Sequence, residues 1–314
     1  MVTFRKAGGV AAIGECMLEL STSDLGRRHW VMGHAGDTFN TLWTLAALAP
    51  ADTSSCDYVT AFGDDPFSRE QIDFMHEAGI GIAQSPIIPG ARPGLYAITL
   101  SGAERSFTYW RSDSAARQLA SNPAKLEKSL ENLRLVYFSG ITLAILEDDS
   151  RKTLLEALST ARKAGSAIAF DPNWRPRLWR SPDEARLATA AALALSDIAL
   201  PTLGDETALW GDADAWAVIR RLRAAGAREI VVKDGPGPAL VGSDEGIERI
   251  AAETVAQPVD TTGAGDAFNG AYLAARLAGF KPAEAARRAH RVGAAVVQVH
   301  GALAPFATLR AAFG

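Results

Sequence analysis

Short apolar runs alternate with helix-spaced apolar residues along most of the chain. Residues 10–13 are apolar and end at Gly14, the pattern of a buried strand. Residues 38–49 place Phe39, Leu42, Trp43, Ala46 and Ala47 at helical spacing, with Asp37 in the N-cap position. Residues 58–63 predict a strand, and 68–78 a helix stopped by Gly79. Between 86 and 110 the helical period fades. GLYAITL at 94–100 and RSFTYW at 105–110 are aromatic and β-branched, and Ser101-Gly102 separates them, which predicts a hairpin. Regular alternation then returns. Strands are predicted at 135–140, 167–171, 197–200 and 229–233, and helices at 150–164, 182–195, 212–225, 264–278 and 282–299. Strands spaced by helices of this length imply right-handed crossovers and a mostly parallel sheet covered by helices on both faces. The expectation is an α/β protein, one unit over 1–314, with a small β insertion from strands within about 14–35 and 86–111.

Composition narrows the function classes. The 314 residues are 48% hydrophobic and 22% charged, enough to bury a sizeable core. Lys and Arg number 32 against 36 Asp and Glu, so the net charge of -4 argues against nucleic acid or an anionic membrane as partner. Cys16 and Cys56 are too few for a disulfide scaffold and lack metal-ligand spacing. Cys16 has no His in its own motif and reads as a structural thiol. No apolar run approaches the roughly 18 residues of a membrane span. Arg5 and Lys6 precede an apolar patch too brief for a secretion signal and closed by Glu15. The expected location is cytoplasmic.

The chemistry concentrates in DTTGAGDAFNGAYLAARLAG at 260–279. Gly263, Ala264 and Gly265 have little or no side chain, so a phosphate can approach consecutive backbone N–H groups at the start of a helix. Asp266 stands at the same terminus, where a carboxylate repels a phosphate. Either it caps the helix, or it has a chemical task such as accepting a proton from an attacking hydroxyl.

This string resembles the C-terminal signature of the ribokinase-like carbohydrate kinases, the phosphofructokinase B family. IGECMLELS at 13–21, GDTFNTLW at 36–43, PGLYAI at 93–98, ERSFTYWRSDSAA at 104–116, SGITLAIL at 139–146 and FDPNWRPRLW at 170–179 extend the likeness from about residue 10 to about residue 305. The YWR and NWRPRLW strings are most similar to members that phosphorylate the sugar acid 2-keto-3-deoxygluconate. The resemblance implies a ribokinase-like core, of nine-stranded type, with a small β-sheet lid over the sugar site. It implies ATP-dependent phosphorylation with Mg²⁺, leaves room for a monovalent cation, and implies a homo-oligomer joined through the lid.

Residue by residue, the resemblance makes Asp266 the catalytic base and Gly263, Ala264 and Gly265 the anion hole. Gly36 and Asp37 match a sugar-contacting turn, although Asp37 also reads as a helix cap. Tyr96, Tyr109 and Arg111 match lid residues that hold substrate; aromatic packing is the other reading of the two tyrosines. Tyr109 and Arg111 face one side of a strand, and Arg111 suits a carboxylate. Trp110 should point the other way and pack. Asn173 and Arg175 follow a strand end, where parallel sheets bind ligands. Arg175 matches a residue between substrate and ATP phosphate, whereas Arg177 reads as a solvated charge. Thr202, Lys233, Gly235, Gly237 and His290 match nucleotide neighbours.

Three departures stand out. An Asn-x-x-Glu pattern is replaced by Thr202 with Gly204, Asp205 and Glu206, leaving Asp205 and Glu206 as alternative metal carboxylates. Asp234 takes the place of a second basic residue, and His34-Ala35 that of a glycine-richer turn. The absence of a Gly-x-x-x-x-Gly-Lys-Ser/Thr loop excludes a P-loop kinase, and no GxGxxG follows the first strand. A kinase of a neutral sugar such as fructose or ribose, or of a nucleoside, is the alternative. A catalytically silent sugar sensor would expect a damaged GAGD string.

Overall fold

Strand residues alternate between two hydrophobic cores. In the computed structural model, Val10 and Ala12 face one core while Ala11 and Ile13 face the other. Ala167 and Ala169 alternate with Ile168 and Phe170 in the same way. These strands are therefore apolar at every position, as a sheet covered on both faces requires. The structure describes residues 2–5, 7–22, 29–101 and 104–314. Lys6, Gly102 of the expected hairpin turn, and part of the 14–35 lid segment lie outside the described residues.

The chain opens with β1 (Gly8–Ile13), then β2 (Met17–Thr22) and β3 (Trp30–Ala35). α1 (Asp37–Leu48) leads to β4 (Thr53–Val59). β5 (Phe62–Gly63) and β6 (Ile87–Ile88) flank α2 (Pro66–Glu77). β7 (Leu95–Ser101) and β8 (Glu104–Trp110) pair antiparallel, and α3 (Pro123–Ser129) leads to β9 (Leu133–Ser139). There follow α4 (Gly140–Ile145), α5 (Asp148–Lys163), β10 (Ala167–Asp171), α6 (Pro182–Leu195) and β11 (Ile198–Ala199). α7 (Leu203–Trp210), α8 (Ala215–Ala224), β12 (Glu229–Val232), β13 (Ala239–Ser243) and β14 (Gly246–Ile250) come next. The chain ends in α9 (Ala264–Leu277), α10 (Pro282–Val296) and α11 (Phe306–Phe313).

Among the described residues the main sheet has eight strands in the order β14-β13-β12-β11-β10-β9-β1-β4. It is parallel from β12 to β4, and β13 and β14 add antiparallel. The nine-stranded expectation is thus corrected to eight, with β5 and β6 as a separate parallel pair. The strand expected over 58–63 is two strands, because β4 begins at Thr53 and the chain breaks pairing before Phe62. β13 and β14 lie beyond the predicted strands; β14 is exposed along most of its length and lacks an apolar run.

β3-β2-β7-β8 form the separate four-stranded lid. Trp110 does not pack as expected: it is 56% exposed, with Trp30 and Met32 on the same outward face. Asp37 does not cap α1. Gly36 occupies the cap position and Asp37 is the first helical residue. α9 packs against α1 and α10 and is buried from Ala267 to Leu277, so its first turn is held firmly at the carboxyl ends of the parallel strands. No helix among the described residues is long and apolar enough to cross a membrane.

Candidate active site

The first turn of α9 is shaped by Gly263. Its φ of +73° lies in the left-handed region, and an added Cβ would sit 2.8 Å from Ala302 Cβ and 3.0 Å from the Ala302 backbone. Glycine is therefore required twice over, for conformation and for space. The turn has no side-chain cap, which leaves leading N–H groups to a ligand. Asp266 lies in this turn.

A polar cluster extends from Asp266 beneath the cleft. Asn40, one turn into α1, donates from Nδ2 to Asp266 Oδ2 at 2.9 Å. Its Oδ1 accepts the Gly36 N–H at 3.2 Å. Asp171, the last residue of β10, accepts from Lys233 Nζ at 2.8 Å and Asn269 Nδ2 at 2.7 Å. Lys233 also donates to Asn269 Oδ1 at 2.9 Å, and Asn269 to Tyr137 Oη at 3.1 Å. Asn173 closes the cluster. Its backbone N–H reaches Asp171 Oδ1 at 3.0 Å and its Nδ2 reaches Asp37 Oδ2 at 2.7 Å.

Asp37, Asp171 and Asp266 thus share one neighbourhood with a single ammonium, Lys233. Asp266 is half-buried as a residue, while its carboxyl is desolvated. Burial first, and then the Asp37 carboxylate, push its pKa up to about 7, against the opposing pull of Asn40 and Lys233. A carboxylate poised there can take a proton near neutral pH.

Toward the lid, Gly36 is extended, and a Cβ on it would lie 2.0 Å from the Glu15 carbonyl oxygen. Here glycine permits close approach. Tyr96 and Tyr109 face each other across β7 and β8, ring centroids 5.7 Å apart. Tyr96 is buried and donates its hydroxyl to Glu19. Burial, followed by the Glu19 charge, raises its pKa. Tyr109 is 49% exposed. Arg111 pairs with Glu15, a buried residue.

Beyond the α9 turn lies a cleft of about 590 Å³ lined by Thr202, Lys233, Gly235, Ala264, Gly265 and His290 among others. Gly237 is not part of this lining; its N–H closes a turn onto the Asp234 carbonyl at 2.7 Å. Asn173 is not part of the lining but bridges Asp171 to Asp37, and Gly263 packs against Ala302. His290 faces the cleft with its ring, because Nε2 accepts the Ala239 N–H at 3.4 Å. Burial lowers its pKa. Arg175 is exposed and pairs with Asp205 at 3.1 Å, and Arg177 is exposed nearby.

The two acidic alternatives separate cleanly. Glu206 is buried and pairs with Arg221 at 2.5 Å; burial, outweighing that arginine, raises its pKa to about 7. Asp205 stays partly open beside Arg175. Among the described residues no three His, Cys, Asp or Glu side chains converge as a metal site.

Asn40, Asp171, Asn269 and Glu15 were not singled out from the sequence. Asn40 and Asp171 lie inside GDTFNTLW and FDPNWRPRLW, and Asn269 lies three residues after Asp266. A polar residue on the buried face of an otherwise apolar helix was the available signal for Asn40 and Asn269.

Comparison with known proteins decides the family. The profile described as "pfkB family carbohydrate kinase" matches residues 8–309. The chain belongs to the pfkB family of carbohydrate kinases. This pfkB kinase is 39% identical over 311 residues to the 2-dehydro-3-deoxygluconokinase of Dickeya dadantii, covering 96% of this chain and 98% of the relative. It is 39% identical over 302 residues to the Escherichia coli K12 protein of the same name, covering 94% and 97%. A PfkB protein from Polaromonas superposes with a TM-score of 0.82 at 27% identity, over 96% of this chain and 99% of that one. The fructokinase of Vibrio cholerae, solved with fructose, ADP and calcium, shares the fold at TM-score 0.84 and 22% identity, over 99% and 100%.

Proposed function

We propose that this pfkB kinase transfers the terminal phosphoryl group of ATP to the 6-hydroxyl of 2-keto-3-deoxygluconate. The observation that carries the reading is the placement of Asp266. A carboxyl with a raised pKa stands in the first turn of α9, next to Ala264 and Gly265, which line the cleft taken for the nucleotide. The high identity to relatives named for this sugar acid supports the substrate class.

In the proposed mechanism the sugar lies over Gly36 and Asp37, with Tyr96 and Tyr109 against it. Arg111 holds its carboxylate, a role for which a guanidinium is suited and which a neutral sugar does not need. Asp266 takes the proton of the attacking hydroxyl. The backbone N–H groups of 263–266 stabilise charge on the transferred phosphoryl group. Arg175 leaves Asp205 to align donor and acceptor. Thr202, Lys233, Gly235 and Gly265 border the nucleotide; Gly237 shapes the adjoining turn and His290 offers a ring face. The lid excludes water.

Mg²⁺ fits as an ion brought with the nucleotide, since no protein cage is present among the described residues and Mg²⁺ commonly takes one carboxylate beside phosphate oxygens. Bound there it would neutralise phosphate charge. Asp205, partly open, is the proposed carboxylate in preference to Glu206. The apolar outward lid face of Trp30, Met32 and Trp110 supports pairing with a second copy. We assign the chain to one kinase unit acting in the cytoplasm.

The test is ATP turnover with Mg²⁺ on 2-keto-3-deoxygluconate, fructose, ribose and a nucleoside. Preference for the keto-deoxy acid, lost in Arg111→Ala, is the expected result. Preference for a neutral sugar, with Arg111→Ala unaffected, would replace the substrate while leaving Asp266 its role.

A further inference from the structure

Arg111 pairs with a carboxylate of the protein itself. Its Nη2 donates to Glu15 Oε2, and the side chains are 11% and 1% exposed respectively. The contact is one-armed. Glu15 Oε1 and Arg111 Nε are both buried and make no hydrogen bond among the described residues. A guanidinium has five N–H donors in a planar fork, so most of its capacity remains for a second acceptor. Gly94 makes the meeting sterically feasible: a Cβ there would lie 2.5 Å from Glu15 Oε1 and 3.2 Å from Arg111 Cβ. Glu15 also sits directly under the sugar-side turn, since its carbonyl oxygen lies 2.0 Å from where a Gly36 Cβ would be.

We propose that Glu15 is the positioning residue of the carboxylate subsite, fixing Arg111 from behind and setting how tightly an acidic sugar is held. This rests on the reading of Arg111 as the group that binds the sugar carboxylate. The physical case has two parts. A buried guanidinium with no partner is costly, so Glu15 stabilises the lid before substrate arrives. The same negative charge then repels the incoming carboxylate across Arg111, in a site where charges are poorly screened. The subsite is therefore selective for an acid without retaining it strongly, which eases departure of a product that still carries the carboxylate.

Glu15→Gln separates the two parts, because the amide oxygen can still accept from Arg111 while the charge is gone. The full-length enzyme is assayed with 2-keto-3-deoxygluconate and with 3-deoxyfructose, in which a hydroxymethyl replaces the carboxylate. Where turnover of the latter is slow, its inhibition constant is read instead. The expected result is a KM for the acid lowered about tenfold, with the value for the neutral analogue unmoved. Equal movement of both values, or of neither, overturns the proposal and makes Glu15 a packing residue.

If Glu15→Gln does not fold, Glu15→Asp carries the test. Its shorter carboxylate loses Arg111, so the KM for the acid rises while the neutral analogue is unmoved; equal changes again overturn the proposal. Arg111→Ala runs beside both. An unchanged KM for the acid in Arg111→Ala would sink the carboxylate reading and this proposal together. A raised KM there, with an inert Glu15→Gln, would sink only the role of Glu15.

Discussion

Asn173 holds Asp37 from 136 residues away, donating from Nδ2 to Oδ2 at 2.7 Å with its own backbone at φ +33°. That backbone region disfavours most side chains but is tolerated by Asn. Two losses can therefore be told apart. Asn173→Ala should lose both the bond and the tolerance, destabilising by about 1–2 kcal/mol from the backbone alone. Asn173→Gly should keep the backbone at ease yet lose the bond. Both should raise the sugar KM on the order of tenfold, as for a hydrogen bond to a charged group. Melting curves should separate them, with Gly nearer the parent. A Gly variant with an unchanged KM would show that Asp37 needs no such support.

Asp266 should trade stability for activity. Its folded pKa is raised above that of an unfolded carboxylate, so the folded state binds more protons between the two values. Stability contributed by this group is greatest at low pH and is lost as pH rises toward its folded pKa. Asp266→Asn removes that penalty and can keep the Asn40 bond. At pH 8 the variant should melt roughly 2–4 °C higher than the parent. It should also lose at least about a hundredfold in kcat. In the parent, kcat/KM should rise with pH through the raised pKa and then level off. A profile flat from pH 5 to 8 would remove Asp266 from the role of base.

Lys233 is buried with Asp171 at 2.8 Å and Asn269 at 2.9 Å, which makes it structural as well as cleft-lining. Lys233→Met should cost about 3–5 kcal/mol, because it strands a buried carboxylate. Adding Asp171→Asn should restore part of that loss. Urea unfolding of the two singles and the double checks the coupling; strictly additive losses would mean the pair is not coupled.

Asp205 and Glu206 are adjacent in sequence but face different partners, Arg175 and Arg221. Asp205→Asn should raise the Mg²⁺ concentration for half-maximal activity about tenfold with little change in melting temperature. Glu206→Gln should leave the Mg²⁺ dependence alone and, because burial outweighs Arg221 at this carboxyl, raise the melting temperature at pH 8. Titrating Mg²⁺ at saturating ATP distinguishes them, and identical responses would refute the assignment.

The parallel core was legible because its strands are short, apolar and separated by helices whose apolar spacing is unmistakable. α6 and β10 were bounded correctly to the residue. The α9 turn was legible because small residues in a row, Gly263 to Gly265, open a helix there. The polar cluster was not. Asn40 and Asp266 are 226 positions apart, and no local pattern reports that they meet. Asp171 looked like the polar end of a strand, and its partnership with Lys233 is visible only once β10 and β12 lie in one sheet. Asp37 was ambiguous for a better reason. Helix caps and sugar ligands use the same carboxylate at the same place, and it is the Gly36 backbone that excludes the cap.

The cluster beneath the cleft draws on residues from Asp37 to Asn269, and Asp266 arrives on a helix that covers α1. A ribosome must therefore deliver most of the chain before any of this chemistry exists. Until α9 emerges, the apolar side of α1 that it will cover has no lid and Asn40 has nothing to hold. Such a nascent chain is exposed to aggregation for longer than one whose early helices pair with each other. A premature stop upstream of residue 264 should accordingly give an adhesive and silent fragment rather than a weak enzyme.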